Sequence, residues 1–285
     1  MVRDRDVRTR RAATLALARA AALGAGPAAA QNWLTTCPPY VAPEAVVPST
    51  DPSGLPAPVA GDAAAFLAGT ASDCAECDLR GAQLQRRTLD GADLRGADLS
   101  GASLHGASLV GALLDGADLS GSNLNRADLK RASMPNAKLA GAMLYEADLA
   151  AATLTGADFS GARLQRARLT RAGLEGADFG GALARFSNLA GADLRDANLE
   201  LANFQGADFQ RSILRDANLV NGGFVHANFT AADLTQISAF NADFLAADFQ
   251  NARMANADLR SVRMNGAGLV CTNVDNAIIG PAEPL

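Results

Sequence analysis

A large apolar residue recurs at every fifth position from Leu79 to Ile279, and the register does not slip across 41 consecutive pentapeptides. Only two of these centres are small, Ala184 and Ala239. A small residue, nearly always Ala, lies two positions before each centre, and Asp or Asn often lies directly before it. Gly recurs two positions after the centre. A period sustained this long predicts a repeat architecture and argues against an ordinary globular enzyme.

A period of five matches neither the 3.6-residue repeat of a helix nor the two-residue repeat of a flat strand. Because Asp, Asn and Gly are turn-forming residues, we expect the chain to bend about once per pentapeptide. A chain that bends so regularly, and buries one large and one small residue per unit, winds around a narrow interior. Its coils then stack through parallel β-bridges about 4.8 Å apart. The sequence therefore predicts a β-helical solenoid, stabilised by contacts between neighbouring coils.

The spacing of the phenylalanines indicates how many pentapeptides form one coil. Eight central Phe residues fall into three series with a spacing of twenty: Phe159 and Phe179; Phe204, Phe224 and Phe244; Phe209, Phe229 and Phe249. Four pentapeptides per coil would turn each series into a vertical ring stack on one wall. We number the walls by their first centres, Leu79, Leu84, Leu89 and Leu94. Chance clustering of the Phe residues is the alternative explanation.

The motif Ala-(Asp/Asn)-(Leu/Phe)-X-Gly resembles that of the pentapeptide repeat family over residues 77–279. The resemblance implies an all-β fold, a right-handed quadrilateral β-helix of about ten coils. At the usual strand spacing, such a rod is about 50 Å long. A residue in register with the centres, Cys74, precedes the run, and family members often begin with a similar Cys-x-x-Cys-Asp-Leu stretch, here Cys74 to Leu79.

Residues 1–30 are typical of a secretory signal peptide. An Arg-rich N-terminal segment is followed by a stretch of Ala and Leu, and the small residues Ala28 to Ala30 offer a cleavage site before Gln31. We therefore predict a periplasmic or secreted protein. The general secretory and twin-arginine routes both stay open, as does a disordered N-terminal arm. The stretch is too short and too interrupted to span a membrane.

The remaining segments flank the repeats. Seven prolines mark residues 31–60 as an extended linker. In residues 61–76, Asp62 is predicted to N-cap a short helix, with Phe66 and Leu67 covering the first coil. Residues 280–285 form a short C-terminal tail that is too short for a helical cap.

The four cysteines are candidates for disulfides: Cys37, Cys74, Cys77 and Cys271. An exported protein permits such bonds. Redox or zinc chemistry at the Cys74/Cys77 pair is the alternative, although no second pair or His cluster accompanies it. Cys271 lies some nine coils from Cys77, too far for a bridge between these two. Within one chain, only Cys37 on its linker could reach Cys271.

The surface charge is mixed. The whole chain carries a net charge of −5. The first and fourth walls are acidic, the third is balanced and the second is basic. The second wall has only two acidic residues, Glu146 and Asp243, and its basic residues are Arg86, Arg126, Arg163, Arg166, Arg185 and Arg263. An electrostatic partner is one interpretation, and a solvated surface that keeps the rod soluble is the other.

Five apolar residues occupy positions that should face solvent near the C-terminal end: Leu201, Val220, Val225, Phe240 and Leu245. Such a cluster is typical of a contact surface. We predict a homodimer through the C-terminal coils, a mode that some family members share. Coverage by the chain's own linker is the alternative.

The sequence contains no recognisable catalytic set, phosphate-binding loop or metal-ligand cluster, so we predict no enzyme activity and no cofactor. The favoured function is an exported structural or interaction scaffold that presents flat walls to a protein partner. We expect no nucleic-acid partner and no integral membrane segment. The alternative is a DNA-mimic regulator of a type II topoisomerase, as in the quinolone-resistance branch of the family. That function needs a cytoplasmic and strongly acidic rod.

Overall fold

The computed structural model describes residues 41–43 and 59–281. It contains one α-helix, α1 (Ala63–Ala68), and two named strands, β1 (Asp258–Arg260) and β2 (Ile278–Gly280). Between the helix and these strands, each pentapeptide contributes one bridging residue, which in the interior of the rod pairs in parallel with the coil before it and the coil after it. The predicted signal peptide, most of the linker, Cys37 and the end of the tail lie outside the described residues.

Each pentapeptide forms one wall and one corner of a coil. The two residues after the centre form a tight turn, closed for example by a hydrogen bond from the Ala82 N–H to the Leu79 carbonyl oxygen, 3.0 Å long. The second turn residue has φ between 53 and 71° at every corner of the repeat where φ is positive. Only Gly adopts this left-handed conformation without strain, which explains its frequency at this position. Turn chemistry therefore sets the period.

Successive coils pair at a separation of twenty residues. Asp78 bridges Asp98, and the same offset continues to the bridge between Arg253 and Asn273. Neighbouring coils exchange backbone hydrogen bonds, such as Leu79 N–H to the Asp98 carbonyl at 2.7 Å and Asp98 N–H to the Cys77 carbonyl at 2.9 Å. The four-pentapeptide coil and the β-helix that the sequence predicts are thus confirmed.

The interior is filled by the centres and by the small residues that precede them, nearly all of which are fully buried. The phenylalanines form the predicted stacks. Phe159 and Phe179 are 4.8 Å apart with nearly parallel rings, and so are Phe209 and Phe229. Rings of the second and third walls meet edge to face across the interior, as Phe224 and Phe229 do at 5.8 Å. This combination is the favoured geometry of aromatic pairs.

The two small centres are accommodated differently. Next to Ala239, the position that is usually Ala holds Ile237, and both side chains are buried. The large and small residues have thus exchanged positions within one pentapeptide, which conserves core volume. No such exchange accompanies Ala184, whose preceding small residue is Ala182. Ala184 instead lies one coil from Phe204, whose ring meets that of Phe179 at 5.8 Å.

Helix α1 covers the N-terminal end of the solenoid. The Asp62 carboxylate accepts hydrogen bonds from the Ala64 and Ala65 N–H groups, which confirms the predicted N-cap. Phe66 is fully buried on the first coil, whereas Leu67 is 47% exposed. The prediction for Leu67 was wrong because consecutive helical residues point about 100° apart, and a helix of six residues turns only one face to the coil.

Arg87 attaches the helix to the first coil. Its guanidinium donates to the carbonyl oxygens of Phe66 at 3.1 Å and Leu67 at 3.3 Å, and it lies 5.4 Å from the Phe66 ring centroid. A cation near helix C-terminal carbonyls is stabilising. This contact explains why Arg87 stands at a position that is Ala in most pentapeptides.

We expect Gly61→Ala to displace this cap. A Cβ at residue 61 would lie 2.5 Å from Cys74 Cα and 3.0 Å from Cys77 Sγ. The substitution should therefore raise amide exchange in 62–80 while leaving the central coils protected, as measured by hydrogen–deuterium exchange. Gly223→Ala is the matched control, since residue 223 does not have the left-handed φ of the corner glycines and an added Cβ there comes no closer than 3.9 Å to its neighbours. Equal exchange in the two variants would contradict the tight approach at Gly61.

At the other end of the rod, β1 and β2 pair in parallel, with Leu259 opposite Ile279. Ile278 is 55% and Val270 49% exposed in the last described coil. Large apolar side chains in this coil therefore remain accessible, in contrast to the N-terminal coil that Phe66 covers.

Candidate interaction surfaces

The predicted cysteine pair is bonded. Cys74 and Cys77 form a disulfide with a Cα–Cα distance of 5.4 Å, beneath helix α1. Cys271 is also disulfide-bonded, and the described residues include no free cysteine. The predicted pairing of Cys271 with Cys37 falls outside the described residues. The bond between Cys74 and Cys77 gives this pair a structural role at the cap.

Most acidic residues before the centres serve the turns. The Asp98 carboxylate accepts from the Ser100 N–H at 3.0 Å, and Asp118 does the same with Ser120. Asn side chains also connect coils, as in the bond from Asn198 Nδ2 to Asp178 Oδ1 at 2.8 Å. The sequence-based interpretation of these residues as turn-stabilising groups is confirmed, because the carboxylates bond backbone N–H groups two residues ahead.

An Asp-Leu-Arg motif neutralises part of the acidic walls. Four such motifs place an Arg two residues after the Asp, where both side chains point outward from one wall. Arg80 bonds both carboxylate oxygens of Asp78 and lowers the pKa of this exposed carboxyl to about 2. Arg95 and Arg260 likewise lower the pKa of Asp93 and of Asp258. Paired carboxylates of this kind present less negative field to a partner than isolated ones.

Burial has the opposite effect on a carboxyl of the fourth wall. Desolvation raises the pKa of Asp115, although the Ser133 hydroxyl donates a hydrogen bond to it at 3.1 Å. On the same wall, Arg215 Nε lies 2.6 Å from the fully buried carboxylate of Asp233. The fourth wall therefore holds buried polar pairs rather than an accessible row of carboxylates.

The basic second wall is less neutralised. Arg126 and Arg166 share Glu146, at 2.9 and 3.7 Å, and Arg263 pairs with Asp243. Within residues 59–281, Arg163 and Arg185 have no ion pair. Arg86, in the first coil, has no ion pair among the described residues either, so the unpaired positive charge of this wall lies in the first coil and near the middle.

The predicted apolar cluster lies on two adjoining walls. Val220 and Phe240 are one coil apart on the first wall, and Val225 and Leu245 are one coil apart on the second. These four side chains are half-buried, and the Arg260 guanidinium lies 5.9 Å from the Phe240 ring centroid. Leu201 differs, because it is 64% exposed at a corner with φ of 58°. The cluster's role in assembly stays a prediction.

Sequence reasoning missed a second apolar site around Ala184. Leu183 is 40% and Phe186 54% exposed on the second wall. Their positions in the repeat could have revealed them, because Leu183 stands where Asp or Asn is usual and Phe186 where Gly is usual. An Ala centre flanked by outward-facing apolar residues is the sequence signal.

Residues 41–43 and 59–281 contain no group of three or more His, Cys, Asp or Glu side chains placed to hold a metal ion. In the same part of the chain, no helix has the length and apolar character needed to cross a bilayer.

The family model described as pentapeptide repeats matches eight copies within residues 77–278. The chain belongs to the pentapeptide repeat family. A solved structure of HetL from the cyanobacterium Nostoc sp. strain PCC 7120, a pentapeptide repeat protein involved in heterocyst differentiation regulation, is 31% identical. That comparison covers 76% of this chain and 94% of HetL, with a TM-score of 0.50. No curated protein matches the chain.

Two further solved structures match the chain at lower TM-scores. Full-length QnrB1, a plasmid-mediated fluoroquinolone resistance protein, is 18% identical over 68% of this chain and 90% of its own, with a TM-score of 0.43. A protein of the Arabidopsis thaliana thylakoid lumen is 28% identical over 53% of this chain and 74% of its own, with a TM-score of 0.24.

Proposed function

We propose that this pentapeptide repeat protein is an exported, non-enzymatic scaffold whose β-helix walls bind a protein partner. The observation that carries the proposal is the use of residues 77–279 for one uninterrupted solenoid, in which backbone hydrogen bonds hold outward side chains in fixed columns. Such rigid columns suit recognition, because little side-chain and loop entropy is lost when a pre-organised surface binds.

Two features support export. The N-terminal segment has the composition of a signal peptide. The Cys74–Cys77 disulfide and the disulfide state of Cys271 suit an oxidising compartment, since such bonds rarely persist in the cytosol. The topoisomerase alternative is disfavoured, because it needs a strongly acidic rod, whereas Arg163 and Arg185 extend a basic wall and Arg side chains pair with carboxylates elsewhere.

A reporter fusion tests export. Residues 1–60 joined to alkaline phosphatase, which becomes active only after it reaches an oxidising compartment, should give activity in a Gram-negative host. Deletion of residues 12–30 should abolish the activity, and Arg10→Lys with Arg11→Lys should reduce it only if the twin-arginine route is used. A fusion without activity, although intact in the cytoplasm, would contradict the export proposal.

We further propose that the scaffold is a dimer through its C-terminal coils. Exposed Ile278 continues the first wall beyond the apolar cluster that contains Phe240 and Leu245, because it pairs with Asp258, which pairs with Ser238. Burial of one Phe side chain, such as that of Phe240, between two copies would contribute roughly 2 kcal/mol to the free energy of association. A two-fold arrangement buries the same surface on both subunits.

We expect wild type to dimerise and Phe240→Asp with Leu245→Asp to give a folded monomer, as measured by light scattering over a concentration series. The control is Thr230→Asp with Gln250→Asp, which adds the same charge on the third wall of neighbouring coils and should remain dimeric. A wild-type protein that is monomeric at high micromolar concentration would rule out the dimer.

A further inference from the structure

An exposed cluster of arginine and apolar side chains lies in the middle of the second wall. Successive β-bridges join Met143 to Arg163 and Arg163 to Leu183, so three neighbouring coils contribute to it. We define the second-wall patch by the side chains that point outward from these coils: Tyr145, Arg163, Arg166, Leu183, Arg185 and Phe186. Arg, Tyr and Phe are the residue types enriched in protein interfaces.

Phe186 lowers the stability of the folded monomer. It has a φ of 59°, a conformation that is unfavourable for a bulky residue, and its ring is 54% exposed. Among residues 59–281, it is the only Phe at a corner. Gly stands at the same corner one coil later, Gly206. Neither the backbone strain nor the exposed ring benefits folding, so the residue suits a role outside the monomer.

The Phe186 ring is also held in place. A Cβ at residue 206 would lie 2.7 Å from two carbon atoms of this ring, so only Gly206 leaves room for it. The Arg185 guanidinium lies over the ring, 5.6 Å from its centroid. A pre-oriented aromatic side chain loses little entropy when a partner covers it, which favours its use as an anchor.

The charge around this anchor is positive. In the part of the chain that the structure describes, Arg163 and Arg185 have no carboxylate partner, and Arg166 shares Glu146 with Arg126. Arg166 also donates to the Tyr145 hydroxyl at 3.4 Å. Arg side chains next to aromatic rings bind carboxylates through two parallel hydrogen bonds. The patch therefore combines an apolar anchor with available cationic donors.

We propose that the second-wall patch binds an acidic, extended segment of a partner protein, whose apolar side chains pack on Leu183 and Phe186. This inference rests on the proposed scaffold function and names where and what the scaffold binds. The partner's carboxylates pair with Arg163, Arg166 and Arg185. A shallow depression continues the patch toward the N-terminal end, lined by Asn125, Met143, Tyr145, Arg163 and Gln165. About five extended residues span the coils from Asn125 to Phe186.

Binding of a defined peptide tests the proposal. The probe is a short fluorescein-labelled peptide in which Glu and Asp alternate with Leu and Phe, titrated with the full mature chain and followed by fluorescence anisotropy. We expect saturable binding that weakens as salt is raised, because exposed ion pairs are screened. Versions with Gln and Asn in place of the acids, or Ser in place of the apolar residues, should bind at least about tenfold more weakly.

Phe186→Gly separates binding from folding. The variant should lose about tenfold or more in peptide affinity, whereas its melting temperature should be unchanged or higher, since Gly is favoured at a φ of 59°. Gln236→Gly is the matched control, because Gln236 is also an exposed residue at a corner, with φ of 62°, and lies on the fourth wall outside both apolar clusters. It should gain stability in the same way and keep wild-type affinity.

Several outcomes would overturn the proposal. They are no binding of the acidic peptide to wild type, equal loss in Phe186→Gly and Gln236→Gly, equally tight binding of the peptide that lacks apolar residues, or preferential binding of DNA. A change in light scattering of Phe186→Gly without a change in peptide affinity would assign the patch to a second copy of the chain. None of these results depends on where the protein resides, so they test the binding proposal independently of the export proposal.

Discussion

Leu174→Asp should unfold the middle of the rod. Leu174 is fully buried at a centre of the fourth wall. A carboxylate there has no partner in a narrow apolar interior, and we expect a cost of at least about 4 kcal/mol. Because each coil is the template for the next, the loss should spread to neighbouring coils. Thermal melting by circular dichroism measures the effect, and a melting temperature equal to that of wild type would refute the placement.

Two companion variants keep this prediction informative if Leu174→Asp does not fold at all. Leu174→Ala should remain folded and lose about 2–5 kcal/mol, the usual range for a buried Leu. Glu175→Ala, one residue further on, removes a half-exposed partner of Arg195 at 2.9 Å and should cost less than about 1 kcal/mol. Comparable losses in Leu174→Ala and Glu175→Ala would mean that the inward position has been misassigned.

The exchange of Ile237 and Ala239 gives the second large effect. Ile237→Ala should lose about 2–5 kcal/mol, because it leaves a cavity beside an Ala centre. Ala239→Leu alone should also be destabilising, by about 1–3 kcal/mol, because Ile237 and the phenylalanines already fill this coil. The double variant restores the common pattern of a small residue followed by a large centre. Its loss in the free energy of unfolding should therefore be smaller than the sum of the losses in the two single variants.

A double-mutant cycle in urea measures this coupling. We expect an interaction energy of about 1–3 kcal/mol between the two positions. Ala182→Ile with the Ala184 centre unchanged is a useful comparison, since that coil has no exchange of its own. Strict additivity of Ile237→Ala and Ala239→Leu would show that the two side chains do not share one volume.

The solenoid could be predicted from the sequence because every pentapeptide repeats the same combination of a turn and a buried apolar centre. A turn at residues such as Gly81 and an inward centre such as Leu79 recur without interruption. The twenty-residue spacing of the Phe stacks then determined the coil. The N-cap at Asp62 followed from local chemistry in the same way. These features depend on near neighbours, so one sequence suffices to predict them.

Features that depend on side chains from different coils were harder to predict. The prediction for Leu67 was wrong because a six-residue helix turns only one face to the coil, and which face docks depends on contacts with residues far along the chain, such as Arg87. The salt bridge of Arg80 with Asp78 reduces an acidic wall that simple counting of charges overstates. The patch around Phe186 could not be predicted with the same certainty, because it combines side chains from three coils that lie twenty residues apart in the sequence. Its identification needed the observation that the ring covers Gly206.

The central claim is that the mature chain is an exported, disulfide-bonded scaffold. Intact-mass spectrometry of the protein from its native host, alkylated before and after reduction, tests it most directly. We predict a mature chain that begins near Gln31, takes up no alkylating reagent before reduction and is modified at all four cysteines after reduction. Intact Met1 with cysteines that react without reduction would contradict the account.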